Sequence, residues 1–233
     1  MSRTLEPLPM SPADLAAILA SLIPKMTAAA VVPPGAARTP YKVWGLGSSP
    51  KPYDLNIYLI RSSDRKADTF DDVAVFLYRD EKLNWVVTRY RVTTTPGASA
   101  LAAPMRTSGT AIVCPGYYQG CWKPGLHKGN YPALVQARDG AFYGWRDPNK
   151  DAMLDTSGTV YNDLGGINFH GAGDPESIYV GGWSAGCTVN AVWKEHLHKM
   201  ELTKLQVKHT GVSTFSAGFV DVGAVPELAF LLK

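Results

Sequence analysis

The alternation of apolar and polar positions is the strongest signal along this chain, and it is mostly of the β type. Val73 to Tyr78 and Trp85 to Val92 are apolar runs flanking a polar Asp80-Glu81-Lys82 turn, which predicts a hairpin. Further strands are expected at Thr110 to Cys114, Ala133 to Gln136, Ala141 to Trp145, Gly165 to His170 and Ser177 to Val180, with glycine and proline punctuating them. Helical spacing occurs in two places. Ser11 to Met26 carries Leu15, Ile18, Leu19 and Leu22 on one face, with Ser11 as N-cap and Pro12 at the first helical position. Thr188 to Met200 carries Val189, Val192, Trp193 and Leu197 as its stripe. A short apolar helix, Pro226 to Leu232, closes the pattern, and no repeat of solenoid or propeller period is present. Thr27 to Pro40 is rich in Ala, Pro and Gly and reads as a linker, dividing an N-terminal helix and linker (1–40) from a β-rich α+β domain (41–233).

Composition narrows the class. The chain has 233 residues, 45% hydrophobic and only 18% charged, enough apolar material for one sizeable core. The net charge of +3 is spread without a Lys/Arg block, which argues against nucleic acid. Leu15 to Ile23 is too short to span a bilayer, so no membrane insertion is expected. Met-Ser-Arg-Thr-Leu-Glu-Pro lacks the basic and then apolar order of a signal peptide, which implies synthesis in the cytoplasm. Three cysteines, Cys114, Cys121 and Cys187, have no CxxC spacing, and thiols are expected.

The chemistry concentrates in Gly165-Gly-Ile-Asn-Phe-His170-Gly171 and Gly182-Trp-Ser-Ala-Gly-Cys187-Thr188. Directly before the expected Thr188 helix, Cys187 would meet unpaired N–H groups and a partial positive charge that favour the thiolate. Ser184-Ala185-Gly186 predicts a tight turn whose N–H groups near Gly186 and Cys187 would hold an oxyanion. His170, at a strand end, suits a general base, and a returning Ser177–Val180 strand would bring it to the cysteine.

These residues resemble the catalytic domain of the L,D-transpeptidases (the YkuD type), in which a His-Gly element precedes Ser-x-Gly-Cys by a loop of this length. The resemblance implies a β-sandwich or barrel-like domain, Cys187 as nucleophile, His170 as base, Ser184 and Gly186 shaping the turn and oxyanion hole, and peptidoglycan as partner. The family's arginine two positions after the cysteine is Val189 here, which turns the expectation from transpeptidation towards hydrolysis. The Gly109–Gln136 segment is similar to phage-associated relatives. A phage endolysin cleaving stem-peptide or cross-link bonds, reaching the wall by holin-type release, is therefore the leading expectation; an interbacterial effector injected into the periplasm is its near variant. A monomer is expected.

Other residues add candidates. Gly171, Trp183, His127, Lys128 and Tyr118 would line the substrate site, with aromatic faces for sugars and His127 or Lys128 in place of the arginine. Asp174 and Glu176 keep open a muramidase-type acid/base pair. Asp147, Asn149, Asp151 and Asp155 alternate as in half a calcium loop, so a structural calcium ion is weighed against an Asx-rich turn; no cofactor is otherwise required. A wall-binding module with an unreactive cysteine is the non-enzymatic alternative. His196, His198 and His209 read as surface positions.

Overall fold

The computed structural model describes residues 4–173 and 175–233. The chain is mainly β, with eight strands closed into a barrel and a few helices around it. Two helices, α1 (Pro12–Ser21) and α2 (Ile23–Ala29), lead into β1 (Asn56–Arg61), β2 (Asp72–Arg79) and β3 (Trp85–Thr93). A short α3 (Ala98–Ala102) precedes β4 (Thr110–Val113), β5 (Gly116–His127), β6 (Tyr131–Gln136) and β7 (Gly144–Asp147). Then come β8 (Phe169–Gly171), β9 (Thr188–Asn190), α4 (Trp193–Thr210), β10 (Phe215–Asp221) and a 3-10 helix over Pro226–Leu232. The barrel order is β1-β10-β5-β6-β8-β9-β3-β2, with β4 and β7 forming a separate two-stranded sheet.

Two apolar layers explain why β1 and β2 are buried on both faces. Side chains alternate along a strand. Ile57, Leu59, Ala74 and Phe76 point into the barrel, where they join Trp122, Phe169 and Phe219. Tyr58, Ile60, Val73 and Val75 point outward against Leu15, Leu19 and Met26 of α1 and α2 and Leu228 and Leu231 of the 3-10 helix. The stretch expected as a linker runs along the wall: Val31 N–H bonds the Pro115 carbonyl, and Tyr41 Oη donates to the Phe219 carbonyl at 2.6 Å. Ser11 caps α1 as expected, and Asp14 completes a capping box with it; Leu22, however, ends α1 and α2 begins anew beyond.

The expected helix Thr188–Met200 is corrected. Thr188–Asn190 is extended, and α4 begins five residues later, at Trp193. The β-branched Thr188 and Val189 find a parallel partner in β8, and that tertiary pairing overrides their helical spacing. The Ser177–Val180 strand is also corrected: Glu176, just before it, makes an isolated bridge to Val192, and β8 lies between β6 and β9. Among the described residues no helix is long and apolar enough to cross a membrane.

Candidate active site

The pairing of β8 with β9 builds the site. Phe169 lies opposite Thr188 and His170 opposite Val189, so Cys187, one residue earlier, lies beside Asn168. The Asn168 N–H reaches Cys187 Sγ at 3.5 Å, and the thiol lies 3.3 Å from the Gly166 carbonyl. Because side chains alternate, Asn168, His170 and Cys187 project from one face of the sheet. Cys187 is half-buried, whereas Cys114 and Cys121 are wholly buried.

His170 is held in one tautomer. Its Nδ1 is 2.9 Å from the Gly171 carbonyl, which requires Nδ1–H as donor. Tyr131 Oη sits 3.0 Å from the same nitrogen and donates to the Gly171 carbonyl at 3.2 Å. Nε2 is thereby left with its lone pair, buried and without a hydrogen-bond partner. Burial drives the His170 pKa down to about 3, against a weaker opposing effect of the Gly171 carbonyl. Gly171 itself faces the helix and not a groove: a Cβ there would lie 2.8 Å from His196 and Trp193.

The thiol is not activated as the sequence suggests. Cys187 is no helix N-terminus, and burial raises its pKa; the Asn168 N–H and Lys128 only partly offset this. The resting pair is therefore a neutral thiol and a neutral imidazole. The turn before it departs from expectation at one atom. Ser184 Oγ donates to the Cys187 carbonyl at 2.8 Å and accepts the Gly186 N–H at 3.1 Å, so the Gly186 donor is spent within the turn and not offered to an oxyanion. Gly186 has φ +124°, and a Cβ there would lie 2.8 Å from the Ala111 carbonyl.

The β5–β6 hairpin supplies the opposite wall. His127 ends β5 and stacks on His170 with ring centroids 3.8 Å apart, while its Nδ1 is 3.1 Å from Asn168 Nδ2. Lys128, exposed at φ 49°, turns the hairpin. Behind the site α4 contributes two buried groups that the sequence reading placed elsewhere or passed over. His196, expected at the surface, is fully buried with Nε2 2.9 Å from the Pro132 carbonyl. Lys199 is fully buried, donates to the Phe169 carbonyl at 3.1 Å and sits over the Phe169 ring; burial holds its pKa well below the lysine range.

The other candidates fall outside this cluster. Tyr118 is a core residue, with its hydroxyl on the Cys114 carbonyl, and does not line the site. Trp183 is partly exposed, on the same loop as the exposed Ile178 and Tyr179. Glu176 forms an ion pair with Arg91, and Asp174 lies outside the described residues. Glu195, unnoticed in the sequence, is close enough to Glu176 to feel its charge; burial is the main cause of a pKa raised to about 7. Asp147 accepts the Asn149 and Asp155 N–H groups, Asp151 that of Met153, and Asp155 that of Ser157, a chain of Asx turns. Among the described residues no group of three or more His, Cys, Asp or Glu side chains is placed to hold a metal.

Compared with models of known protein families, with curated proteins and with solved structures, the chain matches none of them.

Proposed function

We propose that the chain is a peptidoglycan hydrolase of L,D-transpeptidase-like build that cleaves a stem-peptide or cross-link bond through Cys187 and His170. The observation that carries the reading is His170: its Nδ1–H is fixed on the Gly171 carbonyl while Nε2 is buried and unpartnered, on the face of the sheet that also bears Cys187. An imidazole so arranged is neutral with an open acceptor at Nε2, the form a general base needs, and its proton affinity has to rise as charge develops beside it during attack. As the Cys187 sulfur bonds to the substrate carbonyl carbon, its proton passes to His170 Nε2. The C–N bond then breaks, and the imidazolium returns that proton to the leaving amine. Water, deprotonated by the same nitrogen, cleaves the thioester and restores the thiol. Starting from a neutral pair, the proton moves during attack and not before it.

Val189, where the resembled family carries arginine, supports water over an amine as acceptor. An endolysin made in the cytoplasm and released onto the wall of a bacterial host is the biological setting this reading favours. The test is digestion of purified walls followed by mass spectrometry of the released fragments. Wild type is expected to release peptide-cleaved fragments, and Cys187→Ala none. Fragments cut only in the glycan would sink the cysteine mechanism in favour of the Glu176 region. Binding without any cleavage would reduce the chain to a wall-binding module.

A further inference from the structure

Two adjoining cavities, of about 350 and 490 Å³, share Ala103, Met105 and Arg106 and make one groove. One end is bounded by Ala185, in the turn that carries Cys187, and by Gly165, next to the Gly166 carbonyl that contacts the thiol. The other end is bounded by Pro148 and Lys150.

Three cations line this groove: Arg106, Arg146 and Lys150. Among the described residues one carboxylate is ion-paired with the two arginines: Asp163 lies 2.8 Å from Arg106 and 2.9 Å from Arg146. Arg146 is the unusual member. Its side chain is only 5% exposed, its guanidinium lies over the Tyr161 ring, and its Nε is buried with no hydrogen-bond partner. Arg146 is thus a desolvated guanidinium, paired once through Asp163, that keeps one donor unused at the wall of an open cavity.

We propose that this groove binds the carboxylates of an acidic peptide, with Arg146 and Arg106 holding one carboxylate beside the Ala185–Cys187 turn. The identity of that peptide, the peptidoglycan stem, rests on the function proposed above. Asp163 bridges the two arginines through Nη1 of Arg106 and Nη2 of Arg146.

The test uses the full chain carrying Cys187→Ala, which binds without turnover. A synthetic stem tetrapeptide is titrated by calorimetry as its free acid and as its carboxyl-amidated form. The free acid is expected to bind about tenfold or more tightly, as for a charge-assisted hydrogen-bonded contact. Arg106→Ala, at a side chain 55% exposed and so tolerant of change, is expected to remove most of that preference. Arg146→Lys is expected to do the same if it folds. Equal affinity for acid and amide, a preference untouched by Arg106→Ala, or no binding of either form overturns the proposal. Wall digestion by the unmodified chain is read separately. A preference for the acid without cleavage leaves the groove standing and sinks the hydrolase, whereas cleavage without the preference does the reverse.

Discussion

Replacing His196 by glutamine isolates one consequence of burying imidazoles behind the site. The ring is fully buried on α4, with Nε2 on the Pro132 carbonyl and Nδ1 unpartnered. Burial, with help from Lys199, lowers its pKa from 6.5 to about 3. Between those limits the unfolded chain takes a proton that the folded chain refuses. The histidine's contribution to stability is therefore complete above pH 6.5 and is lost as the pH falls, by about 1.4 kcal/mol per unit, or about 2 kcal/mol at pH 5. Asp72 and Glu195 act with the opposite sign. Their pKa values are raised to about 6 and about 7, so the folded chain takes up protons first and gains stability on acidification. The wild-type curve is flattened by this opposition, and only the difference between wild type and variant reads His196 alone. Glutamine keeps an N–H for Pro132 and cannot titrate. Urea unfolding is expected to show His196→Gln weaker by about 1 kcal/mol near pH 7.5, overtaking wild type near pH 6 and about 1 kcal/mol more stable at pH 5, with unchanged m-values. Curves that stay parallel from neutral to acid would refute the reasoning, since they would mean that the folded chain accepts a proton at His196 as readily as the unfolded one.

Two further outcomes follow from the cysteine turn. Gly186→Ala places a side chain at φ +124° and against the Ala111 carbonyl; a cost of about 1–3 kcal/mol is expected, read as a melting point lower by several degrees, and an unchanged melting point would contradict the geometry. Native-state alkylation with iodoacetamide, mapped by mass spectrometry, is expected to label Cys187 and spare Cys114 and Cys121, with a rate still climbing above pH 8; a rate already flat at neutral pH would reveal a preformed thiolate.

The hairpin of β2 and β3 was legible because two apolar runs flank a polar turn, a local signal, and β4 and β6 because short β-branched and apolar stretches are bounded by glycine and proline. β9 was not: three residues with helical spacing to their neighbours became a strand only because Phe169–Gly171 lay alongside, and pairing across the chain leaves no trace in a local window. β1 and β10 were missed for a related reason. Buried on both faces or nearly so, they lack clean alternation, and their parallel pairing is long-range. At the site, Cys187, His170 and Ser184 stood out by motif. Tyr131, Asn168, Lys199 and Arg146 did not, since each matters through a neighbour distant in sequence. His196 was misplaced because α4 buries polar as well as apolar residues on its inner side, so hydropathy points to the wrong face.

The barrel closes by seating β10 between β1 and β5, with Ile57 beside Ala217. That contact joins positions near opposite ends of the folded region, so ring closure waits on one of the longest loops the chain contains. Folding should accordingly be slow and all-or-none. Trp122, whose ring fills the barrel and whose Nε1 donates to the Ile167 carbonyl, ties the cysteine's surroundings to that last event. A nascent or partly unfolded chain would carry the sulfur without the groove and the oriented imidazole, so the catalysis proposed above would have to wait until the ring is sealed.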